Sequence, residues 1–587
     1  MRRPVNPIGR LRRDRPAELD DTGADRVEPD PTEVFGSIEA GLVRQVVGLA
    51  LPALRGAGGS RVVLLAGGDV EALQAGVAIA DPQATVHVLE TTDAAMLHTE
   101  LAAYGHHDVI IDATTDATQV RADRAKAILM HLRRGGILVV ADAGAQGPDL
   151  DDDGLPVRPF VRLVGDALRV SLDPPADNRG RNRVKSYATG WGKAVETVTS
   201  RNGHLAITNG LAALAKVREE QVGTYLAIRG AAAGEVLLER PATVVENPLE
   251  IKVSAADDAV TYATRFESPP LQLRRYRKPA CWPGQVVTQR GVLLPDTYRH
   301  LARPKNGNRF VDDVAPDFGR MSRDKPTELL PGAYFHLDSE YRGHFGHALT
   351  EQIARLWAWQ EAKRAEPDLR ALLMTNRKRT SVAEWEYQLY EAAGVARSDV
   401  VFLDRPVRVE RLLAATPMFS QPEYIHAGIV DVYRTIGDNL AATAPDRDYP
   451  ARIFCSRRLT KRSCHNTQEV EEFFADRGFE IVYPEDYPLG EQVQMFRRAE
   501  VLAGFGGSAM FTMAFVTEPT RVFLVSSENY RAQNEALMAA VHRHELNVAW
   551  CRPDKTRAAG FKGSEAMHSE YTFDAEREGR FLSDLLD

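Results

Sequence analysis

Between 60 and 144 the chain alternates short, wholly apolar runs with longer stretches whose apolar positions fall at helical spacing. The runs 61–66 (RVVLLA), 85–89 (TVHVL), 108–111 (DVII) and 137–140 (ILVV) read as strands buried on both faces. Segments 70–79, 94–103 and 119–132 between them read as helices. This alternation predicts an α/β fold, a doubly wound parallel sheet with helices on both sides. The rhythm returns after Pro450, with strands expected at 452–456, 480–483, 501–503 and 521–525 and helices at 467–477 and 490–498.

The stretch between these units is less regular. Residues 205–217 read as a helix, and 223–228, 235–238 and 259–264 as strands. The run 291–299 (GVLLPDTYR) reads as a short strand ending at a turn. Residues 346–361 read as a helix, with Leu349, Ile353, Leu356, Trp357 and Gln360 forming a mostly apolar stripe. The expected division is a tail at 1–35, a Rossmann-like domain at 36–150, a connecting region at 151–272, and two further lobes at 273–445 and 446–587. The acid run Asp151–Asp153 reads as a solvated linker loop rather than a metal site.

Length and composition change the picture only at the margins. A chain of 587 residues is too long for one core. Its net charge of -8 excludes a dedicated nucleic-acid binder but not a nucleotide ligand, which needs only a local basic pocket. The four cysteines, Cys281, Cys455, Cys464 and Cys551, form no C-x-x-C pair and no disulfide framework. No metal site is expected, either from Cys455 with Cys464-His465 or from His542-Arg543-His544-Glu545 in the last turn of a helix. The N-terminal tail carries Arg2, Arg3, Arg10, Arg12, Arg13 and Arg15 followed by acids and prolines, so it reads as disordered and not as a signal peptide. No run is long and apolar enough to span a membrane, which makes the expected location cytoplasmic and leaves peripheral membrane association open. The Ala-, Arg- and Asp-rich composition is associated with GC-rich bacterial genomes.

Four constellations carry candidate chemistry. Gly343-His344-Phe345-Gly346-His347-Ala348-Leu349-Thr350-Glu351 opens the helix expected at 346–361. On a regular helix His347, Glu351 and Arg355 share one face opposite the apolar stripe, so a carboxylate can orient a general base. The same spacing would equally serve a surface Glu351–Arg355 pair. Arg457-Arg458 follows strand 452–456, at the edge where α/β sheets bind ligands, and Arg457 there can clamp a diphosphate. Asn466 with Glu469 reads as a capping box. Tyr483-Pro484-Glu485 precedes Leu489-Gly490-Glu491-Gln492, which places Glu491 and Gln492 in a first helical turn. Gly504-Phe505-Gly506-Gly507-Ser508-Ala509 joins a strand to a helix start, where backbone N–H groups and the helix dipole favour an anion.

In this order the blocks resemble the signatures of glycosyltransferase family 61, namely N-F-G-H-W-L-x-E-x-x-x-R-L, an arginine after the strand, V-x-P-E-x-L-S-x-x-E-Q-x-x-L-F-x-x-A, and G-x-H-G-A/S-x-L-x-N-x-x-F. Here His344 stands for the usual Asn, Ala348 for an aromatic, Gly506 for the His and Thr512 for the later Asn. The resemblance implies a GT-B-like pair of Rossmann-like lobes, with the acceptor lobe at 273–445 and the donor lobe at 446–587. It implies inverting, metal-independent transfer from a nucleoside-diphosphate sugar to a hydroxyl of a glycan or polysaccharide, with no cofactor required. The implied catalytic base is His347 supported by Glu351, with His344 and Asp338 in reserve. The implied donor contacts are Arg457, Glu491, Gly506, Gly507 and Ser508.

The N-terminal unit carries a second resemblance. Its strand–helix order, Glu90 at the end of the second strand, His107-Asp108-Val109-Ile110 and Leu132-Arg133-Arg134-Gly135-Gly136 resemble a class I S-adenosylmethionine-dependent methyltransferase. The resemblance implies S-adenosylmethionine binding by Gly67, Gly68 and Glu90. Leu65-Ala66-Gly67-Gly68-Asp69 lacks the acid and third glycine of that family's first turn, so a non-catalytic docking domain is the preferred expectation. Two rival functions follow, a methyltransferase and a non-catalytic scaffold in polysaccharide assembly.

Overall fold

Strand Arg61–Leu65 pairs in parallel with Thr85–Leu89 on one side and with His107–Asp112 on the other, and Leu132–Val140 continues the sheet. Helices Val70–Ala80, Ala94–Tyr104 and Thr118–Ile128 make the crossovers. The Asp93 carboxylate caps the second of them by accepting from the Met96 amide at 2.6 Å. Strand His107–Asp112 is buried along its whole length, which is why it reads as a continuous apolar run. In this computed structural model residues 41–586 are described, apart from 55–58, 66, 68–69, 91–92, 144–148, 151–155, 158, 173–186, 248, 255–261, 304–305, 322–325, 377–378, 459–461, 531, 557–558 and 561–562. The expected tail, the acid run Asp151–Asp153 and Gly68 lie outside the described residues.

The stretch 151–272 is not a connector, because its strands contribute to all three large sheets as well as to two small two-stranded ones. His204–Asn209 runs antiparallel to Leu132–Val140, and Val195–Arg201 closes the first sheet at its edge. Leu214–Lys216 and Gly234–Arg240 join a central twelve-stranded mixed sheet, and Lys252–Val253 joins the C-terminal sheet. Two local expectations are corrected with it. The helix expected at 205–217 is two strands, since a strand covered on both faces shows the same unbroken apolar run as a buried helix. The strand expected at 223–228 is helix Val222–Arg229, which buries Val222, Tyr225 and Leu226 at helical spacing.

Within the central sheet, Val407–Ala415, Leu329–His336, Arg370–Met374 and Val400–Leu403 are parallel, while Leu271–Arg277 and Ala280–Trp282 run antiparallel to Val407–Ala415. The C-terminal sheet is parallel across Glu480–Val482, Arg452–Cys455, Val501–Phe505 and Arg521–Ser527, where the apolar runs predict strands, and Glu545–Pro553 adds a fifth parallel strand beyond those expected. One hydrophobic core runs through both lobes, from Phe335, Leu349 and Trp359 to Phe515, Leu537 and Trp550. The helical segment after Gly343 lies in that core. It is not a regular helix: a turn at Phe345–His347 passes into a π-helical Ala348–Gln352 and a 3-10 Ile353–Ala358.

Candidate active site

The C-terminal ends of the parallel strands in the central and C-terminal sheets face a common cleft of about 830 Å³. One wall carries His344, Phe345 and Trp385 from the central lobe; the other carries Arg457, Arg462 and the turn Gly507–Ala509. The cleft thus brings together four residues singled out by sequence, His344, Arg457, Gly507 and Ser508, from segments far apart in the chain.

Behind His344, the irregular helix sets a charged cluster. His347 Nδ1 lies 2.7 Å from Glu351 Oε1, and the two imidazoles of His344 and His347 are 4.8 Å apart between centroids. Glu351 also accepts from Ser339 Oγ at 2.5 Å and from Arg299 Nε at 2.6 Å. Burial alone would raise the Glu351 carboxyl, but Arg299 and His347 hold it well below the usual carboxylate range. Arg299 Nη2 also lies 3.1 Å from Nδ1, and in the tautomer whose Nδ1–H donates to an ionised Glu351 the Nε2 lone pair of His347 is free to act as a base. Tyr341 stacks on His347 at 4.8 Å and carries the Arg299 guanidinium at 4.5 Å over its own ring. Loss of hydration, followed by the neighbouring His347, pushes His344 down to about 4, so its ring is neutral near pH 7.

The expected alignment of His347, Glu351 and Arg355 is half right. The π-helical turn keeps His347 against Glu351, but the change to a tighter helix carries Arg355 away, and its Nη1 donates to the Asp338 carbonyl at 3.0 Å. Arg299, at the end of the 291–299 run, supplies the guanidinium instead. Asp338 does not reach the cleft: it is fully buried, and its carboxylate accepts the Gln285 amide at 2.8 Å and the Met374 amide at 3.2 Å. Burial pushes its carboxyl up to about 6, and its role is to tie strand ends together.

On the opposite wall, Arg457 turns inward and Arg458 outward. Arg458 makes a two-pronged pair with Asp486 at 2.6 and 2.7 Å. Among the described residues Arg457 donates to neutral oxygens, the carbonyls of Gly506 at 3.3 Å and of Arg462, and the Tyr571 hydroxyl at 3.3 Å. Arg462 lies over the Tyr530 ring at 4.2 Å, and its buried Nε and Nη1 have no hydrogen-bond partner among the described residues. Neither guanidinium is ion-paired to a carboxylate of the described residues. Two guanidiniums without an ion-pair partner among the described residues, beside one glycine turn, form a site for a polyanion, with the Glu535 carboxyl behind Arg462 as the acid that acts on it.

The turn itself departs from expectation. Gly506 has no room for a side chain, since a Cβ there would meet Ser526 Oγ at 2.7 Å and Ser526 Cβ at 3.0 Å. Strand Arg521–Ser527 thereby accounts for the glycine at this position. The Gly507 amide is already taken by Glu535 Oε1 at 2.8 Å, and the turn leads into a six-residue 3-10 helix, Met510–Phe515, rather than a long helix. The amides of Ser508 and Ala509 have no acceptor among the described residues, so these two, not Gly507, can meet an anion in the cleft.

Glu491 is not in the cleft. It pairs with Arg447 on the far side of its helix, and Gln492 lines the cleft in its place. Asn466 does not cap its helix with its side chain; it exchanges hydrogen bonds with the Phe573 backbone and holds the C-terminal segment. In the first sheet, Gly67 sits at the reversal of strand order, where a Cβ would strike the Ala113 backbone, so the close approach of that backbone accounts for the glycine. Glu90 is exposed at the end of its strand. Among the described residues no helix is long and apolar enough to cross a membrane.

No curated protein matches the chain. Among solved structures it is similar to the MycE methyltransferase from the mycinamycin biosynthetic pathway in complex with Mg and SAH, at 15% identity and a TM-score of 0.22, over 26% of this chain and 46% of that one. Phosphoethanolamine N-methyltransferase 2 of Haemonchus contortus matches at 8% identity and a TM-score of 0.16, over 92% of this chain and 82% of that one. At such TM-scores neither likeness bears on function. The segment from the His347 turn through Arg457 and the glycine turn to strand Arg521–Ser527 is different: residues 345–523 match the family model Glycosyltransferase 61, so this part of the chain is similar to glycosyltransferases of that family.

Proposed function

We propose that the chain transfers a sugar from a nucleoside diphosphate to a hydroxyl of a glycan or polysaccharide, with inversion and without a metal, across a GT-B-like pair of lobes. The observation that carries this reading is the cleft in which Arg457 and Arg462, neither ion-paired to a carboxylate of the described residues, face His344, with His347 behind it rather than on the cleft wall. The diphosphate lies against the two guanidiniums and the Ser508 and Ala509 amides, and the nucleoside extends towards Trp385 and Gln492. The acceptor enters past Tyr341, which is exposed beside His347. His347 Nε2 takes the proton of the acceptor hydroxyl as its oxygen bonds to the anomeric carbon and the bond from that carbon to the diphosphate breaks. The charge released on the leaving oxygen falls to Arg457 and Arg462, the electrostatic role a metal would otherwise fill. Glu351 keeps His347 in the reactive tautomer and stabilises its protonated form.

A panel of uridine, guanosine, cytidine and thymidine diphosphate sugars tests the reading by calorimetry and by slow hydrolysis. At least one should bind and turn over, and His347→Ala should lower its turnover about 10²- to 10⁴-fold with little change in affinity. Binding of S-adenosylmethionine with no response to any nucleotide sugar would overturn it.

A further inference from the structure

Glu535 stands directly behind the glycine turn, in the first turn of helix Asn534–His542, and is 3% exposed. Its Oε1 accepts the Gly507 amide at 2.8 Å, and Gly507 is held at φ 145°, a conformation that glycine tolerates. This hydrogen bond occupies the Gly507 amide, whereas the next two amides, on residues that line the cleft, have no acceptor among the described residues. The charged and titratable groups that face the carboxyl are Arg462, Tyr530 and Tyr262. The rest of its surroundings, including Leu524, Val548 and Trp550, brings no further charge among the described residues. Arg462, over the Tyr530 ring, therefore lies between two anionic positions: Glu535 on the protein side and the cleft on the other.

Resting on the proposed function, we infer that Glu535 is the positioning residue and internal counter-charge of the diphosphate site, holding the glycine turn in both protonation states and giving up its charge when a diphosphate binds. Either form of the carboxyl can accept from Gly507, so the turn survives the change. Only the ionised form repels the incoming phosphates and competes for Arg462. Burial, partly offset by its own amide, Gly507 and Arg462, raises the Glu535 carboxyl to about 7, within reach of a proton from solvent. By linkage, diphosphate binding then takes up that proton, and affinity falls as pH rises through this range.

The test uses the full chain and inorganic pyrophosphate, with calorimetry from pH 6 to 8.5. Glu535→Gln keeps the acceptor for Gly507 and removes the charge. It should bind pyrophosphate about five- to tenfold more tightly than the wild type at pH 8.5 and nearly equally at pH 6. The ionisation of pyrophosphate and of the histidines is common to both proteins and cancels in this comparison. Equal affinities across the pH range would overturn the inference while leaving the proposed function intact. A wild-type protein that binds no pyrophosphate, and is indifferent to Arg457→Ala, would overturn both. Should Glu535→Gln fail to fold, infrared difference spectra of the wild type at pH 8 decide the matter. Pyrophosphate should bring up the carbonyl band of a protonated acid, and its absence would overturn the inference.

Discussion

The first and last sheets of this chain both present arginines at the C-terminal edge of parallel strands, and they use them in opposite ways. In the first sheet Arg121 and Arg124 are buried against Asp112, at 3.4 and 3.2 Å, and Arg124 also pairs with Asp116. Arg121 further donates to the Asp112 and Ala141 carbonyls, and the Ala113 backbone packs directly against Gly67. In the last sheet Arg457 and Arg462 form no ion pair with a carboxylate of the described residues and meet carbonyls, a hydroxyl and an aromatic face beside an open cleft. Strand topology alone would nominate both edges as ligand sites. The presence or absence of a carboxylate separates an arginine that closes a sheet from one that awaits an anion.

Paired substitutions make the sharpest test of that contrast. Arg124→Ala removes a buried cation and strands part of the charge on Asp112 and Asp116, so unfolding in urea should show a loss of about 3 kcal/mol with pyrophosphate affinity unchanged. Arg457→Ala strands no carboxylate. Its main effect should be on binding, with pyrophosphate or nucleotide-sugar affinity falling about tenfold or more and a smaller loss of stability than Arg124→Ala. If both variants lost stability and neither lost affinity, the two edges would be equivalent and the cleft would not be an anion site.

The glycine turn supplies a second, smaller test. Gly506→His restores the residue usual in the family but drives its side chain into Ser526, and overpacking of this kind costs about 1–3 kcal/mol. The melting midpoint should fall and should recover in part in the double variant with Ser526→Gly. A single variant as stable as the wild type would mean that the strand behind the turn does not set the residue at 506.

The parallel units were legible in sequence because a strand buried on both faces leaves an unmistakable apolar run. Arg61–Leu65, Thr85–Leu89 and Arg521–Ser527 fall within two residues of the expected bounds. The central mixed sheet was not, because pieces as short as Val292–Leu293 carry no period and His204–Asn209 has the apolar density of a helix. At the site, the spacing of His347 and Glu351 and the place of Arg457 after its strand could be read directly. Arg299 could not, since it meets His347 across 48 positions through packing alone. Arg462 depends on a left-handed backbone at φ 54°, and Glu535 comes from a helix whose own pattern reads only as core. The π-helical turn, which decides that Arg299 rather than Arg355 partners Glu351, leaves no mark in the hydrophobic spacing.

The neighbouring residues Arg457 and Arg458 reduce the contrast between the two edges to one dipeptide. Arg458 is the neutralised member, held by both oxygens of Asp486 and lying 4.1 Å over the Tyr483 ring, with its side chain half exposed to solvent. An exposed pair of this kind adds little to stability, because solvent already satisfies both charges and salt screens their attraction. Arg458→Ala should therefore leave the melting midpoint in place and pyrophosphate affinity within about twofold of the wild type, with an unchanged dependence on salt. Had the cleft drawn anions through a diffuse basic surface, removing either arginine would weaken binding alike, and more so at low salt. Equal losses from Arg457→Ala and Arg458→Ala would thus break the distinction between a neutralised and an unneutralised guanidinium. A loss confined to Arg457→Ala would tie binding to the inward side chain and its missing carboxylate.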